Sequence, residues 1–205
     1  MAKKKIAVPK DQTPKISDPA PREPAASPPD FVLGFLKVCE VLELDAPQEF
    51  PPPPSLRSGF ATICDPGLSI VDLRASHPSL FSAMNDWYRN APFAKHRDIW
   101  KWRQIRVAPM EPGKLFEEQS DNLVDGETPA PARAIVTLLI VHHLVTNAYL
   151  DIGRLRCSDK LLTGQRVLVG PFGANGLELA SCSDRYSSPS VGLSAAFTHE
   201  MRKTR

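Results

Sequence analysis

The sequence predicts a mainly α-helical domain of four to five helices with a small C-terminal β-hairpin, carried behind a disordered, basic, proline-rich N-terminal arm. Three observations predict it. Residues 1–29 hold seven prolines and little apolar content. Apolar residues recur at helical spacing from Phe31 to Leu42 and again from Leu80 to Tyr88. Residues 134–150 are almost wholly apolar, which marks a helix buried on most sides.

Taken in order, the arm comes first. With so few apolar groups it cannot offset its ordering entropy by burial, so it is expected to stay extended. Its prolines (Pro9 through Pro29) bias it towards polyproline II, and Lys3, Lys4 and Lys5 lie at its far tip. Asp30 follows Pro28-Pro29 and is well placed as an N-cap. Phe31, Phe35, Cys39 and Leu42 then predict an amphipathic helix of about 14 residues. Pro47 and Pro51–Pro54 end it and form a second stiff spacer. Residues 59–75 leave strand and helical turn open around the turn signal Asp65-Pro66-Gly67.

A helix is expected over 79–88 and another from Ala94 to Arg106, broken apart by Asn90-Ala91-Pro92. Residues 111–128 read as an acidic loop. Thr128-Pro129 is a start signal for the longest helix, over 128–152 at the centre of the domain. Leu155, Leu161 and Leu162 extend helical spacing towards Gly164. Residues 166–169 and 177–180 predict a hairpin joined by the seven residues 170–176. The Ser-rich end fits a short helix or a frayed tail. The organisation is therefore an arm over 1–29, one α-rich domain over 30–198, and a basic tail over 199–205.

Composition narrows the function classes. The chain has 205 residues and is 42% hydrophobic, so one core of about 150 residues buries roughly two thirds of its surface without metal or disulfide staples. The four cysteines form no C-x-x-C pair, which removes zinc ribbons and thioredoxin-like motifs. The lysine-rich start lacks the apolar run of a secretory signal. Four reduced thiols and a cytoplasmic location are expected. The apolar run 134–150 falls short of the ~20 residues a bilayer needs, and it contains His142, His143 and Asn147. No membrane span, metal site or cofactor is predicted.

Net charge is only +2, but it is segregated. Residues 87–106 carry six Lys and Arg against Asp98 alone, together with all three tryptophans. Residues 111–127 reverse the sign. Cations neutralise phosphates and aromatic faces stack on unpaired bases, so this basic-aromatic stretch points to single-stranded nucleic acid. On an ideal helix Trp100 and Trp102 lie about 200° apart and cannot both turn inward.

Other constellations are weaker. His142 and His143 are adjacent, so they diverge on a helix and cannot together chelate a metal from it. The loop 170–176 has three glycines but lacks P-loop or dinucleotide spacing. No G-x-S-x-G, H-E-x-x-H or S-x-x-K motif is present. No catalytic residue is assigned.

Three functions remain open. The first is a structural or assembly protein contacting nucleic acid, forming homo-oligomers, with a layout shared with coat proteins and nucleoproteins. There Lys3, Lys4 and Lys5 bind phosphate diffusely. Arg97, Lys101, Arg103 and Arg106 line a closer contact, and Trp100 or Trp102 stacks. The second is a protein-interaction adaptor whose proline-rich segments, Pro51–Pro54 above all, dock in aromatic grooves. The third is a small enzyme using His142, His143, Asp151 or Cys157.

Overall fold

A computed structural model describes residues 31–47 and 50–199. The proline-rich arm, its lysines Lys3, Lys4 and Lys5, the cap Asp30 and residues 200–205 lie outside the described residues. The expected mainly helical fold is not what forms. The chain is 28% helix and 29% strand, with two multi-stranded sheets.

In chain order the elements are β1 (Phe31–Leu33), α1 (Phe35–Val41), β2 (Phe60–Asp65), α2 (Ile70–Ser76), α3 (Pro92–Lys95), β3 (Lys101–Arg106), α4 (Phe116–Asp121), β4 (Thr128–Pro129), α5 (Ala132–Thr146), β5 (Arg154–Lys160), β6 (Arg166–Gly173), β7 (Gly176–Cys182), β8 (Val191–Leu193) and β9 (Ala195–His199). Two 3-10 turns lie between α2 and α3. The first sheet has the order β1-β2-β3-β9-β4 and the second β7-β6-β5-β8. Within them β1 runs parallel to β2 and β5 parallel to β8, and the other pairs are antiparallel. Only Ser194 separates β8 from β9, so the chain passes from one sheet to the other almost without a break.

The segment read as a helix from Ala94 to Arg106 splits. Pro92–Lys95 is a single helical turn, and Lys101–Arg106 is a central strand paired with β2 on one side and β9 on the other. The physical reason is a period of two. Arg103 and Ile105 turn to the α5 side, while Trp102 and Gln104 turn to the other face. On the expected helix these cations would line a nucleic-acid contact. They are tolerated between strands because carboxylates meet them there.

The other corrections have similar causes. The expected 79–88 helix is replaced by two 3-10 turns, Pro78–Leu80 and Trp87–Asn90. Residues 31–43 give three residues of strand and then α1. The acidic stretch is not wholly loop, since it contains α4. Thr128-Pro129 pairs with β9 instead of opening the long helix, which starts after Pro131 and ends at Asn147, a left-handed residue with φ 55°. Asp159 supplies its N-terminal cap, accepting from the Ala132 amide at 2.6 Å. The hairpin lies where the sequence placed it but is tighter, with only Ala174 and Asn175 between its strands. The Ser-rich end carries β8 and β9.

The core is organised round α5. Every residue from Ala132 to Val141 is buried, because the helix packs against β2 and β3 of one sheet and β5 and β6 of the other. An all-round apolar helix needs cover on both sides, and two sheets provide it. No described helix is long and apolar enough to cross a membrane.

Candidate functional site

The basic-aromatic stretch is held by carboxylates at all four of its Lys and Arg residues past residue 96. Arg97 grips Asp72 with Nε at 2.8 Å and Nη2 at 2.6 Å. Lys101 meets Asp98 at 2.8 Å. Arg103 donates to Asp65 at 2.7 Å, to Asp98 at 2.8 Å and to the Thr198 hydroxyl at 2.9 Å. Arg106 meets Glu127, from the acidic stretch, at 2.5 Å. Arg103 and Arg106 also point to opposite faces of the sheet. Among the described residues, Arg97, Lys101, Arg103 and Arg106 therefore form no contiguous cationic face.

The pairing leaves its mark on the acids. The Arg97 guanidinium and the Ser69 cap hold the Asp72 carboxyl at about 2. Burial pushes the Asp98 carboxyl up, but the Lys101 ammonium, the Ile99 amide and Arg133 together bring it down to about 2. Asp65 is wholly buried, and although burial alone raises its carboxyl, Arg133 and Arg103 hold it below the ordinary range. Arg133 reaches Asp65 from the first turn of α5, with Nη1 and Nη2 both at 2.7 Å. The chemistry of this centre is spent on itself. Both Asp65 oxygens are engaged and each of the three Arg103 nitrogens donates, so it holds α5 to the first sheet.

The tryptophans belong to a second arrangement. Trp100 and Trp102, two apart on an extended chain, both contact Phe50, at 5.8 and 5.5 Å between ring centroids. Phe35 stacks on Phe50 at 4.7 Å and meets Trp100 edge-on at 5.5 Å. Trp102 is only 4% exposed, and its indole Nε1 donates to the Pro51 carbonyl at 2.9 Å. Two residues along β3, the Gln104 amide donates to the Ser55 carbonyl at 2.8 Å. Residues 50–56 thus form a strap across the face of the sheet that α5 does not cover. Its inner side is tied down, yet Pro51, Pro52 and Pro53 are exposed. Exposed Leu36 and Ile99 adjoin Phe35 and Trp100 at its margin. The sequence singled out Pro51–Pro54 and the tryptophans separately. Phe35, Phe50 and Gln104 were missed, and the period-two pattern of 100–106 is a signal for Gln104 alone.

The residues of the enzyme reading do not assemble. His142 rests against the Phe31 ring at 5.0 Å, with burial pushing its imidazole down. His143 stacks on Tyr149 at 4.5 Å and meets Phe172 edge-on. Cys157 is fully buried on β5, where burial pushes its thiol well above the usual range, away from a nucleophilic thiolate. Asp151 accepts from the Gly153 amide at the turn before β5. Among the described residues, no three His, Cys, Asp or Glu side chains group as a metal ion requires.

A shallow cleft of about 490 Å³ opens elsewhere, lined by Val71, Asp86, Trp87, Arg89, Asn90 and Lys95. No protein-family profile, curated protein or solved structure matches this chain.

Proposed function

We propose that this chain is a protein-interaction module that displays an anchored proline ridge, Pro51–Pro54, to an aromatic groove on a partner protein. One observation carries the reading. Pro51–Pro53 face outward while the backbone at both ends of the run is fixed, by Trp102 at Pro51 and by Gln104 at Ser55.

Each of Phe50, Pro51, Pro52 and Pro53 precedes a proline, and that position disfavours helix and favours extended, polyproline-like backbone. The prolines have no amide hydrogen to satisfy, so the ridge offers rings and carbonyls alone. Grooves of parallel aromatic rings recognise such ligands, and they gain when the extended conformation is already in place. The strap supplies that order without closing over the prolines. Polynucleotide contact through Arg97, Lys101, Arg103 and Arg106 is the weaker reading, because a cation already held by a carboxylate has little charge left for phosphate.

The test is a titration of the full chain with a panel of isolated proline-recognising domains, such as SH3 and WW domains. At least one is expected to bind. Replacing Pro52 and Pro53 by Ala is expected to weaken that binding about tenfold with the thermal midpoint unchanged. Binding that survives this double substitution but disappears on removing residues 1–29 would move the docking segment to the arm and end the ridge reading.

A further inference from the structure

The cations of 87–106 divide into two groups. Arg97, Lys101, Arg103 and Arg106 each sit 2.5–2.8 Å from a carboxylate oxygen. Arg89 and Lys95 do not. Arg89 comes no closer to Asp86 than 3.8 Å, with both side chains mostly in solvent. That is beyond a charge-assisted hydrogen bond. Among the described residues, Lys95 meets the neutral amide oxygen of Asn90, at 3.3 Å. Both line the cleft of about 490 Å³, together with Trp87.

The walls of this cleft are firmly held. The Trp87 indole is half-buried, and its Nε1 donates to the Leu179 carbonyl on β7 at 2.9 Å. Tyr88 meets the indole edge-on at 5.9 Å. Behind it, Arg74 donates to the Asn85 carbonyl and the Tyr88 hydroxyl, each at 2.7 Å, and to the Ser82 carbonyl. The loop from Ser82 to Asn90 is therefore tied to α2 and to β7 at once. An indole held in place beside two cations that make no close carboxylate hydrogen bond among the described residues, in a cleft within the usual range of about 300–1,000 Å³ for ligand sites, suits a ligand with a flat ring at one end and an anion at the other.

We propose that the cleft beside Trp87 binds a nucleoside monophosphate group, its base on the indole face and its phosphate between Arg89 and Lys95. The pieces match in kind. A base stacks on an aromatic face regardless of its sequence identity. A phosphate accepts from a guanidinium and an ammonium at once. Asp86 and Asn90, on the same rim, accept from amino and hydroxyl groups of base and sugar. With Arg89 and Lys95 against Asp86, the rim is net positive by one charge. The same group arrives either as a free nucleotide or as one unit of a single strand. The site stands apart from the proline ridge, so neither proposal rests on the other.

The experiment uses the ¹⁵N-labelled full chain, whose three indole N–H signals report Trp87, Trp100 and Trp102 separately. Titration with AMP is expected to move the Trp87 signal and leave Trp102 in place. Adenosine and inorganic phosphate, tested alone, are expected to bind at least about tenfold more weakly than AMP, since each keeps only half of the contacts. Replacing Arg89 and Lys95 together by Ala is expected to weaken AMP about tenfold or more. The unmoved Trp102 signal verifies that this variant folds. A short oligodeoxyadenylate that binds more tightly than AMP assigns the site to single-stranded nucleic acid, and equal binding assigns it to the free nucleotide. An unmoved Trp87 signal at millimolar AMP overturns the proposal. So does AMP binding that the double variant retains in full.

Discussion

Arg133 meets Asp65 end-on, each terminal nitrogen 2.7 Å from a different carboxylate oxygen, and both side chains are buried. One residue starts the central helix and the other ends β2, so the pair fixes the helix to the first sheet. Asp65→Asn keeps the shape but leaves Arg133 and Arg103 facing a neutral amide. Breaking a buried ion pair from one side costs about 3–5 kcal/mol. At roughly 3 °C per kcal/mol for a domain of this size, the thermal midpoint is expected to fall by about 10 °C or more in a calorimetric scan. A fall of under about 3 °C would show that the pair does not hold the helix.

Paired carboxylates, one in this cluster and one beside Arg97, set the response to acid. Asp72 and Asp98 are both brought down to about 2, against an ordinary aspartate value near 4 in the unfolded chain. A carboxyl depressed on folding stabilises the fold above the unfolded value, and that contribution is lost as pH falls through the folded value. Stability is therefore expected to hold down to about pH 4 and to decline between about pH 4 and 2. Urea midpoints measured across that range check it. Substituting Asp72 by Asn is expected to flatten part of the decline, because the exposed Arg97 pair goes with it.

How far the sequence discloses this arrangement differs from element to element. The apolar run from Ala134 to Val141 announces a buried helix, since no other structure hides every side of such a segment. The hairpin of β6 and β7 is legible from two β-rich runs around Gly-rich residues. Residues 101–106 are not. Lys101, Arg103 and Arg106 look like a solvated face, and nothing local says that Asp65 and Glu127, tens of residues away, will receive two of them. The strap is half legible. Pro51–Pro54 stand out, but the indole that pins them lies 51 positions along the chain. Long-range pairing of polar groups leaves no periodic trace, and this candidate site is built from it.

Gly67 tests the cluster from its backbone side. Its φ is +76°, and a Cβ there would stand 2.0 Å from the Asp98 carbonyl oxygen. The left-handed conformation alone costs an L-residue about 1–2 kcal/mol. Gly67→Ala must also push back a backbone whose Asp98 carboxylate holds Lys101, Arg103 and Arg133. A loss of more than about 2 kcal/mol is expected. Gly164, at φ +83° with nothing within 4 Å of its own would-be Cβ, is the control: Gly164→Ala is expected to lose only the conformational part. Equal losses at the two positions would refute the close approach.

Arg156 locks the second sheet to the acidic stretch. It is fully buried on β5 and donates to the Gln119 side chain at 2.8 Å and to the Lys114 carbonyl at 3.0 Å, with a further bond to the Tyr186 carbonyl. Gln119 returns its amide to the Glu111 carbonyl at 2.8 Å. Arg156→Met fills similar space but strands these acceptors, at a cost of about 3 kcal/mol. Hydrogen exchange is expected to quicken first in 111–121 and 183–190. Uniform quickening across the whole chain would mean that the arginine supports the fold globally instead of fastening two loops.

The strap separates stability from display. Trp102 stabilises the fold and orders the ridge, whereas Pro52 faces outward and does neither. Trp102→Phe removes the bond to the Pro51 carbonyl and part of a buried ring that packs on Phe50. It is expected to cost about 2 kcal/mol of stability. It should also weaken a proline-recognising partner severalfold, because a freed ridge must be ordered again on binding. Pro52→Ala is expected to leave unfolding within about 0.5 kcal/mol of the parent, as surface changes usually do, and to lower partner affinity directly. Measuring both variants by denaturant unfolding and by partner titration therefore gives a crossed pattern. If Trp102→Phe lowered stability with partner affinity unchanged, the bond to Pro51 would be no more than a core contact, and ordering of the ridge would have no part in recognition.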